Sequence, residues 1–97
     1  MSRRRWNDEE YIIALYLYKY GFEDLGIGYT KIGKILNRTP DAIIMRFANF
    51  LSVENNNAGL SGGGKRTRYI YNKYNNFSKE ELRKIVMDYL FNITGKR

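Results

Sequence analysis

Neither cysteine nor histidine occurs among the 97 residues. Their absence excludes zinc fingers and ribbons, thiol nucleophiles, histidine acid–base catalysis and disulfide scaffolds. Proline occurs once, at Pro40. Long apolar runs are missing too: the longest, Tyr11 to Tyr18, falls far short of the roughly 18 to 20 residues that a membrane span needs. Arg3, Arg4 and Arg5 resemble the charged opening of a signal peptide, but Asp8, Glu9 and Glu10 stand where its apolar stretch should begin. The expectation is an intracellular protein, cytoplasmic or nucleoid-associated, that does not contact membrane. Acidic residues are scarce as well, ten against seventeen Lys and Arg. The resulting charge of +7 and pI near 9.7 favour a polyanionic partner. Apolar content of 43% with nine Tyr and five Phe suffices for one small core, so residues 1–97 are read as a single domain.

Helix signals dominate what is present. Asn7 and Glu10 form a capping box and Trp6 with Tyr11 a hydrophobic staple, opening a first helix over about residues 8–20 that stops at Gly21. Apolar positions Tyr11, Ile12, Leu15, Tyr16 and Tyr18 mark its buried face. Gly21 to Gly28 reads as a loop. A short second helix, about 30–37, capped near Tyr29 or Thr30, presents Ile32, Ile35 and Leu36. Thr39-Pro40 supplies a capping hydroxyl and a proline at the first helical position, starting a third helix that runs to Leu51 with Ile43, Phe47, Phe50 and Leu51 inward. Residues 52–68, rich in Asn and Gly, read as a loop. Residues 69–97 hold a basic aromatic segment and a C-terminal helix over about 79–93, opened by the Ser78/Glu81 capping box.

The order Trp6-Asn7-Asp8-Glu9-Glu10, Ile32-Gly33-Lys34-Ile35-Leu36 and Arg38-Thr39-Pro40-Asp41-Ala42-Ile43 with Arg46-Phe47 resembles a Myb/SANT-like repeat over residues 4–51. Tyr29 and Phe47 stand where that family carries its second and third tryptophans. Arg38-Thr39-Pro40, Asn49-Phe50 and Gly59-Leu60-Ser61-Gly62-Gly63 followed by Lys65 also resemble the N-terminal module of some bacterial HNH endonucleases. The nuclease part is absent, since an HNH centre needs histidines. The resemblance implies an all-α fold, a tri-helical helix-turn-helix bundle with a Gly-rich loop and an additional C-terminal helix, and a DNA-binding function without cleavage.

Charge placement points the same way independently. Arg3 to Arg5, Lys31 to Arg38 and Lys65 to Lys73 contain no acidic residue and together hold ten of the seventeen cations, whereas a merely solubilising face mixes its signs. Candidate DNA contacts are therefore Arg3, Arg4, Arg5, Lys31, Lys34, Arg38, Lys65, Arg66, Arg68 and Lys73 on phosphates. In the third helix, spacing at about 100° per residue turns Asp41, Met45, Ala48, Asn49 and Ser52 outward, with Arg46 on the flank. Arg46 and Asn49 suit base edges in the major groove, and Met45 a thymine methyl. The alternative is that this face lies beneath Tyr69 to Tyr74 or the C-terminal helix.

The tyrosines Tyr69, Tyr71 and Tyr74 among cations also suit stacking on unpaired bases. Gly59 to Lys65 lacks the Gly-Lys-Ser/Thr ending of a phosphate-binding loop and follows no strand. Glu9, Glu10, Glu80 and Glu81 sit in first turns, where capping and the helix dipole explain them. The expectation is therefore no enzyme, no cofactor, no metal and no small-molecule substrate. Double-stranded DNA is the expected partner, read by a sequence-preferring regulator or targeting module. The competing function is a SANT-type protein-interaction module. The apolar stripe of the C-terminal helix is a candidate surface for a homodimer.

Overall fold

The computed structural model describes residues 6–26, 28–55 and 64–94. Among these the chain is all-α: α1 (Asp8–Tyr20), α2 (Tyr29–Leu36), α3 (Pro40–Glu54), α4 (Gly64–Tyr74) and α5 (Lys79–Thr94), with a single 3-10 turn at Glu23–Leu25. The sequence reading anticipates α1, α2, α3 and α5 within a few residues. It misses α4, and α3 runs one turn beyond its expected end.

The expected local signals operate as hydrogen bonds. Asn7 Oδ1 accepts from the Glu10 N–H at 2.8 Å while Glu10 Oε1 accepts from the Asn7 N–H at 2.9 Å, and the Trp6 and Tyr11 rings pack at 5.8 Å. Ser78 and Glu81 repeat the reciprocal pair at the start of α5. Thr39 Oγ1 accepts from the Ala42 N–H at 3.1 Å, as the Thr-Pro pair requires. The start of α2 differs from expectation: Gly28 is its N-cap and no side chain caps it.

Three residues, Asn37, Arg38 and Thr39, connect α2 to α3. Asn37 takes the left-handed conformation (φ 59°) that ends α2, one that asparagine tolerates better than most residues. The Arg38 N–H then donates back to the Gly33 carbonyl at 2.7 Å. This return brings the Arg38 carbonyl so close that a Cβ on Gly33 would lie 2.6 Å from it. Glycine is required there for lack of space.

The central element is α1. Glu10 through Leu17 are all buried, so no amphipathic face remains; α3, α4 and α5 each contact it. A helix buried on every side needs apolar residues all round, which the run Tyr11-Ile12-Ile13-Ala14-Leu15-Tyr16-Leu17 provides. Ile32 and Leu36 from α2, Ile43 and Phe50 from α3, Ile70 from α4, and Leu82, Val86 and Leu90 from α5 complete the core. Of the α5 stripe, Leu82, Val86 and Leu90 are buried against the core, and Ile85 and Tyr89 pack against it partly buried. Polar ties close the periphery. Lys19 donates to the Asn75 carbonyl at 2.7 Å, and Lys79 with Arg83 binds Asp24 from α5. The radius of gyration is 13.1 Å, as expected of a compactly folded chain of about 100 residues.

Candidate nucleic-acid interface

The thirteen residues predicted as DNA contacts divide into four groups in the fold. Arg3, Arg4 and Arg5 lie outside the described residues. Lys31 and Lys34 are exposed on α2, Met45 is exposed on α3, and Lys65, Arg66, Arg68 and Lys73 are exposed on α4. Arg38 and Arg46 are tied into the packing at the start of α1. Asn49 is buried.

Arg38 requires a correction from phosphate contact to fold residue. Its side chain is only 9% exposed, and Nη2 lies 3.0 Å from Oε1 of Glu10, whose side chain is fully buried. Its guanidinium also sits 4.8 Å from the centre of the Trp6 ring. The physical reason is local: Glu10 is held inward by the capping box, and a buried carboxylate needs a partner charge. Arg46 is drawn in similarly, its guanidinium 4.8 Å from the Trp6 ring centre and 5.4 Å from that of Tyr11. The indole of Trp6 therefore contacts two guanidiniums. Arg46, expected on the flank of the outward face, is half-buried, and its Nε is buried without a hydrogen-bond partner among the described residues.

Asn49 is the second correction, at 4% exposure. A face opposite Ile43 and Phe47 points outward only if the helix packs on one side, but α3 contacts α1, α2 and α4. Its buried arc is consequently wide and centred between Asn49 and Phe50, while Leu51, expected inside, is 49% exposed. Phe47 is half-buried with its ring 6.3 Å from that of Tyr18; Phe50 is the fully buried aromatic. The true outward stripe runs Asp41, Ile44, Met45, Ala48 and Leu51. It is not covered by the C-terminal elements, and beyond Asp41 it is apolar: Ile44 is 49% and Met45 57% exposed.

The basic segment forms a helix where a flexible tail was expected. Thr67 and Ile70 are buried, with Tyr71 and Tyr74 half-buried against the core, a spacing of three, four and seven that anchors α4 to α1 and α3. Phe50 and Tyr71 mark the α3 junction, their rings 6.3 Å apart. With that stripe inward, the exposed positions are Lys65, Arg66, Arg68, Tyr69, Asn72 and Lys73. Four are cations and none is acidic. Arg66 reaches Asp8 on α1 at 3.2 Å with both side chains half in solvent. Lys73 donates to the Tyr69 hydroxyl at 3.2 Å, and that hydrogen bond holds the Lys73 ammonium above its ordinary pKa.

A separate cluster lies at the far end of α3. The Tyr18 hydroxyl donates to Glu54 Oε1, and burial together with that hydrogen bond pushes the Tyr18 phenol up to about 12. Burial raises Tyr71 as well, with the Glu54 charge adding to it. Glu54 sits in the last turn of α3, where the helix dipole disfavours a negative charge, and the phenols offset that placement.

No group of three or more His, Cys, Asp or Glu among the described residues is placed to hold a metal, and no helix among them is long and apolar enough to cross a membrane. Comparison of the chain with family models, curated proteins and solved structures finds no match.

Proposed function

We propose that this protein binds double-stranded DNA as a sequence-preferring regulator or DNA-targeting module, without enzymatic activity. The observation that carries the reading is the outer face of α4: four cations, one tyrosine and one asparagine on a rigid helix with no acidic residue in it. Cations that lack buried partners can exchange their counterions for phosphates, and each such contact adds to affinity and to its salt dependence. Lys31 and Lys34 on α2 extend the same chemistry. The three-residue α2–α3 turn supports a helix-turn-helix of the Myb/SANT-like kind, with α3 as the helix offered to the major groove. In that groove Met45 and Ala48 would meet thymine methyls, since hydrogen-bonding side chains are nearly absent from the stripe.

A second reading is favoured by one feature of its own. Ile44, Met45 and Leu51 form an exposed apolar stripe, which suits a protein partner of the SANT-interaction type better than a polar groove. A titration with labelled random-sequence duplex over a salt series separates the two. Micromolar affinity that falls steeply with salt, with a slope flatter by about two to three in the triple variant Lys65→Gln, Arg66→Gln, Arg68→Gln, supports DNA binding through α4. Absence of binding at low salt refutes it and leaves the protein module.

A further inference from the structure

We propose that Tyr69 is a stacking platform for an unpaired nucleobase, so that the nucleic acid preferred by α4 is duplex bordered by single strand rather than blunt duplex. The inference rests on the nucleic-acid reading above and narrows its substrate class. Of the three α4 tyrosines, Tyr71 and Tyr74 lean on the core, and only Tyr69 is turned out, 47% exposed. Every other large exposed apolar side chain among the described residues is aliphatic and on α3. Packing gives Tyr69 no task, because Thr67 and Ile70 take the inward positions on either side of it.

Its neighbours are those a nucleotide needs. The Arg66 guanidinium stands 5.4 Å and the Lys73 ammonium 5.5 Å from its ring centre, one turn before and one turn after it along the helix. Among the described residues, Arg66 is otherwise paired with exposed Asp8, an interaction worth little and easily exchanged for a phosphate. The Lys73 bond to the Tyr69 hydroxyl restrains the ring, lowering the entropy lost on stacking. Duplex DNA hides its base faces within the stack and shows only edges and backbone, whereas a splayed base presents a π-face to any ring set between cations.

The test uses three labelled DNA probes with equal numbers of phosphates: a blunt duplex, a correspondingly shorter duplex with a short 3′ overhang carrying 2-aminopurine, and a single strand. The full chain is compared with Tyr69→Leu and Tyr69→Phe. Expected for the parent is overhang binding about five- to a hundredfold tighter than blunt duplex, the range of one base–aromatic stack, with 2-aminopurine fluorescence quenched in the complex. Tyr69→Leu should lose both the preference and the quenching while keeping blunt-duplex affinity, and Tyr69→Phe should keep both. Equal affinity of the parent for blunt and overhang probes, without quenching, overturns the stacking role and leaves duplex binding intact. A Tyr69→Phe loss as large as that of Tyr69→Leu on every probe also overturns it, assigning the hydroxyl to a phosphate. If no probe binds at low salt, the underlying nucleic-acid reading falls with it.

Discussion

Substituting Arg38 by Met should destabilise the fold and leave nucleic-acid binding alone, the reverse of what its charge and position in the sequence suggest. The long aliphatic side chain of Met keeps most of the stem packing, so the change removes mainly charge. It removes a cationic partner from the carboxylate of Glu10, whose side chain is wholly buried and also accepts from the Asn7 N–H. Removing one partner of a buried pair costs about 3–5 kcal/mol, and the lost contact with the Trp6 ring, 4.8 Å away, adds about 0.5–2 kcal/mol. A domain of this size has a total stability of about 5–15 kcal/mol, and each kcal/mol corresponds to about 4–8 °C in Tm. The variant should therefore melt at least about 12 °C lower. Urea unfolding followed through Trp6, the single tryptophan, measures this directly because the guanidiniums of Arg38 and Arg46 each lie 4.8 Å from the indole centre. The double-mutant cycle isolates the pair: Glu10→Gln retains a capping acceptor but no charge, and combined with Arg38→Met it should show a coupling of about 1–3 kcal/mol. Additivity within about 0.5 kcal/mol, or a salt slope for DNA that drops by about one in folded Arg38→Met, would refute the reassignment of this arginine.

Phe50→Ala should cost about 3–5 kcal/mol, and Phe47→Ala clearly less, because only Phe50 is fully enclosed; denaturant midpoints of the two variants give the order. Gly33→Ala should lose about 1–3 kcal/mol, as overpacked sites do, since its Cβ meets the Arg38 carbonyl at 2.6 Å; a melting temperature unchanged from the parent would show that the α2–α3 turn relaxes freely. Tyr18 is a neutral phenol favoured by the fold, so its contribution is complete below its ordinary value of 10 and lost as pH rises through about 12. Phenolate absorbance should show Tyr18 and Tyr71 titrating late and Glu54→Gln moving both downward, with stability declining over the same alkaline interval.

How far the sequence revealed the fold depended on whether a signal was local. Capping boxes at Asn7/Glu10 and Ser78/Glu81 and the Thr39-Pro40 start are complete within four residues, and all three form as read. Which face of α3 points outward is not local, because it depends on α4 closing against α3 from the far side of residues 56–63. Asn49, expected outside, and Leu51, expected inside, exchange places for this reason. The helical stripe of α4 was present in the spacing of Thr67, Ile70, Tyr71 and Tyr74, but β-branched and aromatic residues have weak helix propensity, and the preceding glycines suggested a loop. Arg38 shows the limit of reading charge by clustering. It sits in an acid-free stretch of sequence, while its partner Glu10 is twenty-eight residues away.

The outward stripe of α3 constrains how any DNA reading by this chain would work. Between Asp41 and Leu51 its exposed side chains are Ile44, Met45 and Ala48, none able to make the bidentate hydrogen bonds that separate one base pair from another by about 1–3 kcal/mol each. Methyl contacts and groove shape remain, so discrimination from α3 would be shallow, while on the proposed reading the α4 cations would supply affinity to every sequence alike. The two surfaces therefore predict different variant behaviour. Met45→Gln places an amide in the middle of the stripe, at a side chain that is 57% exposed, so the fold should tolerate it. If α3 enters the groove, this variant should change which sequences a randomised duplex pool yields, with affinity for bulk DNA unaltered. If the stripe serves a protein, the selected sequences should match those of the parent and the same substitution should abolish the partner instead. An unchanged selection profile would remove α3 from the DNA and leave α4 as the surface that holds it.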